Sequence, residues 1–199
     1  MIKDIFQAQP ILENERVLLR AIREDDFKNL LLFSLHEPDI WKYGLITAAG
    51  EENLRNYIAV AVKNMNEKKE YVFIVFDKKT KRYAGSTRFY DIQPEYLTAQ
   101  LGYTWYGKEF QRTGLNRHCK LLLLTYVFEE WELERLEFRA HAANERSITA
   151  MKDIGCVVEG ILRSQMPTVD GSRRDSIVLS ILKTEWFTKV RELLQQKTH

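Results

Sequence analysis

The stretch Gln111-Arg112-Thr113-Gly114-Leu115-Asn116 joins two patterns of different period. Before it, Ala99, Leu101, Tyr103 and Trp105 alternate with Gln100, Gly102 and Thr104, which reads as a strand. After it, Leu115, Cys119, Leu122, Leu123, Tyr126 and Val127 form one helical stripe, and Leu121, Leu124, Phe128 and Trp131 form another. Two apolar stripes imply a helix held between layers. A strand, a glycine turn and a helix start together make a place where an anion can sit. The first-turn N–H groups have no partner inside the helix, and the macrodipole adds partial positive charge. Arg112 and Arg117 add charge nearby. Taken alone, the six residues fit a phosphate cradle and an ordinary strand-to-helix turn about equally well. Gly102 marks either a bulge or a place where a ligand lies against backbone.

Downstream, residues 135–141 read as a strand with Leu136, Phe138 and Ala140 on one face. Asn144 is a good N-cap for a short helix carrying Ile148, Met151 and Ile154, which stops at Gly155. Residues 157–166 and 174–182 read as two strands joined through Asp170-Gly171, a hairpin signal. A last helix over 184–196 follows. Upstream, 17–22 reads as a strand, and Glu24, Asp25 and Asp26 open a helix that ends before Pro38. Residues 37–50 read as a loop made unusually apolar by Trp41, Tyr43, Leu45 and Ile46. It is either a wall over a substrate cleft or a loop packed on the surface. Residues 51–69 have helical apolar spacing, 71–76 are apolar throughout like a strand covered on both faces, and 83–92 read as a further strand. Residues 1–14 read as a loosely tied lead-in. The order predicts an α/β (α+β) fold: a mixed, mostly antiparallel central sheet flanked by helices. One strand-helix-strand crossover carries the glycine turn, and the cleft lies where it begins.

The 199 residues, 45% hydrophobic and 29% charged, suit a single domain spanning 1–199. A net charge of +2 argues against direct nucleic-acid binding as the main task. No run approaches 18 apolar residues, and residues 1–10 lack the apolar core of a signal peptide. A cytoplasmic protein with no membrane partner is expected. Cys119 and Cys156 have no metal or redox spacing, so no metal site is expected.

The element order, the Gln-x-x-Gly-x-x loop and Asn144-Glu145-Arg146-Ser147 followed by Gly155 together resemble the GNAT acetyltransferases, and among them the RimJ/RimL type that acetylates N-terminal amines of ribosomal proteins. The resemblance covers roughly residues 14–186. It implies a GNAT-like acyl-CoA N-acyltransferase fold with acetyl-CoA, as co-substrate, bound where two parallel strands splay. The pyrophosphate would rest on Gln111, Arg112, Thr113, Gly114, Leu115 and Asn116. The family usually has Gly or Ala at the position of Asn116, so this chain departs there. By the same resemblance Asn144 would bond the pantetheine arm. Ser147 would lie near the sulfur and protonate the departing thiolate, a task that many relatives give to a tyrosine. Asn144 also reads simply as a helix cap, with Ser147 its third helical residue.

The resemblance also implies a glutamate base on the strand after the second motif. That position is Met166, beside Gln165, and neither takes a proton. Glu137, His141 and Glu159 remain as candidates, and His141 has the most suitable ordinary pKa. The implied reaction is direct attack of a primary amine on acetyl-CoA, the amine being a peptide or protein N-terminus. A polyamine or aminoglycoside-type acceptor is the first alternative and would need clustered acids, for which Glu24, Asp25, Asp26, Glu51 and Glu52 are available. A non-catalytic acyl-CoA-binding module is the second. A homodimer stays open.

Overall fold

The computed structural model describes residues 4–168 and 172–198. Among them, eight strands form one sheet. In chain order they are β1 Leu12–Glu13, β2 Val17–Ala21, β3 Tyr71–Asp77, β4 Arg82–Gln93, β5 Thr98–Tyr106, β6 Arg135–His141, β7 Val157–Pro167 and β8 Arg173–Leu182. Across the sheet they run β1-β2-β3-β4-β5-β6-β8-β7. Every neighbouring pair is antiparallel except β5 and β6. The helices are α1 Ile5–Ala8, α2 Phe27–His36, α3 Glu51–Asn66, α4 Leu115–Thr125, α5 Glu145–Asp153, α6 Lys183–Glu185 and α7 Arg191–Thr198. The Asp170-Gly171 turn lies outside the described residues.

The central strands follow from their composition. β3 is buried along nearly its whole length, as a run apolar on both faces requires. α3 starts at two glutamates, which suit the positive helix end, and buries Leu54, Tyr57, Ile58 and Ala61. Trp41 and Phe33 meet Trp105 edge to face, with ring centres 5.0 Å and 6.1 Å apart. This clamps α2 and the start of the 37–50 loop onto one face of β5. α4 buries Leu115, Cys119, Leu123 and Leu124, and a π-helical segment Tyr126–Glu130 continues it. The expected helix over 115–131 is therefore α-helical only to Thr125.

The lead-in is tied more firmly than its sequence suggests. Asp4 caps α1 by accepting from the Phe6 N–H at 2.9 Å, and Ile5 is 1% exposed. β1 then joins the sheet edge. Four residues of helix and two of strand are too few for a periodicity to show in the sequence.

The sheet opens at one place. β5 and β6 pair only over Thr98↔Arg135, Ala99↔Leu136 and Gln100↔Glu137. Beyond Gln100 the two strands run apart, held by β4 on one side and β8 on the other. β5 is also bulged there. Ser86 pairs with Trp105 and Arg88 with Gly102, so Tyr103 and Thr104 together face Thr87. Tyr103 has φ 48°, as a bulge residue can. The reading of Gly102 as a bulge marker is borne out, and its missing side chain makes room for a protein group. A Cβ on Gly102 would lie 2.9 Å from the Tyr90 ring.

Candidate functional site

The splay between β5 and β6 widens into a cleft of about 1120 Å³. Its lining comes from the 37–50 loop, both splayed strands, the 111–117 turn, the start of α5, and the ends of β7 and β8. The volume suits a long ligand and a second molecule beside it, since pockets for one small ligand are about 300–1,000 Å³.

The turn at 111–116 is built by its own side chains. Gln111 donates through Nε2 to the Tyr106 carbonyl at 2.8 Å, and its Oε1 accepts from Arg146 at 2.6 Å. It thus braces the end of β5 against α5. Thr113 donates to the Phe110 carbonyl at 2.8 Å, which closes the turn. Arg112 has φ 61° and Gly114 φ 86°. Left-handed residues this close together turn backbone N–H groups toward a common concavity. Gly114 is the N-cap of α4, and a Cβ built on it meets nothing within 4 Å. The space it leaves opens to the cleft. Leu115 puts its side chain into the core instead, at 0% exposure.

Asn116, the off-pattern residue, has a partner. Its Oδ1 accepts from the Tyr106 hydroxyl at 3.2 Å. Its bulk is thereby turned along the end of β5 while the residue still lines the cleft. Gln111, Arg112, Gly114, Asn116, Asn144 and Ser147 all line that one cleft. Residues distant in sequence are thus brought to one cleft, while Thr113 and Leu115 stand outside its lining. Asn144 caps α5, accepting from the Ser147 N–H at 3.2 Å. Its Nδ2 and the Ser147 hydroxyl have no partner among the described residues.

The candidate bases fare differently. Glu137 is held by Arg135 at 3.0 Å and Arg139 at 2.7 Å. Glu159 sits between Arg135 and the Ser180 hydroxyl, which hold its carboxyl below the usual range. Neither lines the cleft. His141 does, with its ring 5.5 Å from that of Tyr43. Its Nδ1 accepts the Ala143 N–H at 3.0 Å. The neutral ring therefore carries its proton on Nε2 and presents a donor. Met166 and Gln165 also line the cleft, so no carboxylate stands at the expected position of the base. Asp91, Asp153 and Glu145 line it too; Gln100 holds the first at 2.7 Å, Arg117 and Lys197 hold the second, and Glu145 stands in the exposed first turn of α5.

Two cations of the cleft escaped the sequence reading. Lys120 on α4 is 5% exposed and its Nζ lies 3.4 Å from the Thr104 hydroxyl. No carboxylate pairs with it among the described residues, and burial lowers its pKa to about 8. Arg174 on β8 is 6% exposed and touches the carbonyl of Tyr43. A lysine inside the apolar stripe from Leu115 to Leu123 was a visible signal. Arg174 had none, since its place depends on β8 lying beside β6.

Among the described residues no group of His, Cys, Asp and Glu could hold a metal, and no helix is long and apolar enough to cross a membrane. Both cysteines are buried thiols.

The chain matches the Acetyltransferase (GNAT) domain family over residues 16–157. It is 39% identical over 88 residues to YdaF of Bacillus subtilis strain 168, which is named as a ribosomal N-acetyltransferase. That match covers 44% of this chain and 47% of the relative, about half of each. A second relative from the same strain, the N-acetyltransferase YoaA, is 26% identical over 87% of this chain and 97% of its own length. A solved structure from T. thermophilus, named as an acetyltransferase, superposes with a TM-score of 0.84 at 28% identity, covering 95% of this chain and 97% of that one. With the splayed strands and the glycine turn at the head of α4, these matches place the chain in the GNAT acetyltransferase family, whose co-substrate is acetyl-CoA.

Proposed function

We propose that this chain transfers the acetyl group of acetyl-CoA to the α-amine of a peptide or protein N-terminus, as one domain. The observation that carries the acceptor class is the cleft's charge. Arg112, Lys120, Arg146 and Arg174 line it with no carboxylate paired to them among the described residues, whereas its two aspartates are held by other side chains and Glu145, in the exposed first turn of α5, is its one other carboxylate. A polycation gains nothing from such walls. The acids that would favour a polyamine, Glu24, Asp25, Asp26, Glu51 and Glu52, lie outside the lining, and Asp26 is bound by Arg20 at 2.6 Å. The ribosomal naming of YdaF supports the same reading.

In the proposed arrangement the α4 N-terminus and Arg112 hold the pyrophosphate, and Gln111 and Thr113 shape the turn that does so. Leu115 anchors it from below, and Asn116 lines its edge. The Asn144 amide reaches the pantetheine arm. Backbone N–H groups on the part of β5 that has left β6 polarise the acyl carbonyl. An N–C bond forms as the C–S bond breaks. The Ser147 hydroxyl gives a proton to the leaving thiolate, and the amine nitrogen loses one to water. His141 presents an N–H in this arrangement, so it orients the acceptor rather than deprotonating it.

A weak base suits an α-amine, whose pKa of about 7.7–8.0 leaves roughly a tenth or more of it neutral at pH 7. A lysine amine near 10.4 is a few hundred-fold less available. Amine panels assayed with acetyl-CoA by thiol release test the reading. Peptide N-termini should be the best acceptors, ahead of polyamines and aminoglycosides. The rise of kcat/KM with pH should follow the pKa of whichever acceptor amine is used. A polyamine at the head of the panel, or an inflection indifferent to the acceptor, would refute it. Absence of thiol release with every amine would leave a binding module.

Ser147→Ala should lower kcat by about 10²-fold with little change in acetyl-CoA affinity, as loss of a general acid does. Near-normal turnover would return Ser147 to a purely structural place in the first turn of α5.

A further inference from the structure

Arg88 and Arg174 are the two buried arginines among the described residues. Arg88 has a counter-ion, Glu70, at 2.8 Å, and its guanidinium lies between the rings of Tyr57 and Tyr103. Arg174 has none among the described residues. Its Nε donates to the Ser176 hydroxyl at 3.1 Å and its Nη1 to the Tyr43 carbonyl at 3.3 Å. The nearest phenols, Tyr90 and Tyr103, are pushed toward their neutral forms by burial and supply no charge. Arg139, on the neighbouring β6, is by contrast matched to Glu137 at 2.7 Å. A buried cation without a partner is costly, and an anionic ligand removes that cost.

The position of Arg174 says which ligand. Lys120 meets Thr104 on the α4 face of β5. The neighbouring Trp105 points to the other face, where Trp41 and the 37–50 loop lie. Arg174 touches Tyr43 of that loop, so it belongs to the compartment across the splay from α4. The glycine turn and the phosphate cradle belong to α4. Arg174 therefore stands on the acceptor's side.

We propose that Arg174 binds a carboxylate carried by the acceptor close to its reacting amine. This deepens, and rests on, the reading of the cleft as an N-acetyltransferase site. The carboxylate could be the acceptor's own α-carboxylate, as in a free amino acid. It could equally be an Asp or Glu side chain next to a peptide N-terminus. Ser176 and the Tyr43 carbonyl fix the guanidinium so that its remaining N–H groups face the cleft, where a two-point bond to a carboxylate fits an arginine.

Two acceptor pairs separate the sources. The first is a C-terminally amidated peptide with Glu or Gln as second residue; the second is a free amino acid or its amide. In one pair or the other, the carboxylate member should have a kcat/KM roughly 10- to 100-fold higher, the range for a charge-assisted bond. Arg174→Gln should abolish that preference through KM. Arg174→Lys should restore part of it. Acetyl-CoA binding measured by calorimetry serves as the folding control for both variants. Equal use of both members by the unaltered protein, or a preference that survives in Arg174→Gln, overturns the proposal. If no acceptor is acetylated, the transferase reading itself fails. Arg174 is then judged by calorimetric binding of the same pairs, where equal affinities overturn it and a preference lost in Arg174→Gln supports it.

Discussion

Gly114→Asp should weaken acetyl-CoA binding by roughly 10³-fold or more while leaving the protein folded. The protein tolerates the change because a Cβ at Gly114 meets no atom within 4 Å. The backbone there, at φ 86°, costs a non-glycine residue about 1–2 kcal/mol, and Asp is among the residues that bear it best. The larger effect falls on the ligand. A carboxylate about 4 Å from a phosphate charge is opposed by roughly 4 kcal/mol at an effective dielectric of about 20. It also cancels the positive end of α4 that the phosphate would use. Gly114→Asn has nearly the same shape without the charge. It should keep the fold and lose much less affinity. Calorimetry with acetyl-CoA on the three proteins decides the matter. Binding by Gly114→Asp within about tenfold of the unaltered protein would remove the phosphate from this turn, whatever its effect on turnover.

That turn was legible because it depends on local chemistry. A period change from two to 3.6, a glycine between, and arginines on either side are all visible along the chain. So were the cap at Asn144 and the C-terminal Gly155, which has φ 97°. β6 has the bounds its alternation predicts, and the apolar 37–50 loop does wall the cleft. What the sequence concealed depends on partners far along the chain. The engagement of Glu137 and Glu159 by Arg135 needs β6 and β7 set on either side of β8. Nothing local says that these carboxylates are held. His141 keeps its place in the cleft, but a bond from the Ala143 N–H two residues on fixes its tautomer, and a residue count does not show which nitrogen faces the ligand. Asn116 departs from the family pattern, and its compensation comes from the hydroxyl of Tyr106, ten residues earlier. The wall, the cradle and the cap are local features. The charge on the side of the cleft across from α4 is not, since Arg174 supplies it from β8.

Lys120→Met should stabilise the protein by about 3 kcal/mol at pH 7. Lys120 lies at 5% exposure with a single long bond to the Thr104 hydroxyl. The thiols beside it cannot serve as counter-ions, because burial raises Cys119 and Cys156 to about 12. Its own pKa falls from 10.5 to about 8. Between those values the unfolded chain binds more protons than the native one, so stability rises with pH across that window. Below pH 8 the native protein bears the whole cost of burying the ammonium, about 3 kcal/mol at 1.36 kcal/mol per unit. Methionine keeps the unbranched shape and removes the charge. Urea unfolding of both proteins at pH 7, 8, 9 and 10 gives the difference directly. The stabilisation should be greatest at pH 7 and shrink toward zero near pH 10, where the lysine folds neutral and its unfolded form is losing its proton. The melting temperature at pH 7 should rise by roughly 6–12 °C for a chain of this size. A difference that stays flat from pH 7 to 10 would mean that Lys120 is not charged and buried as its surroundings require. So would a variant less stable than the unaltered protein at pH 7. The ammonium would then have to be solvated from the cleft, and the floor beneath the splayed strands would be wet.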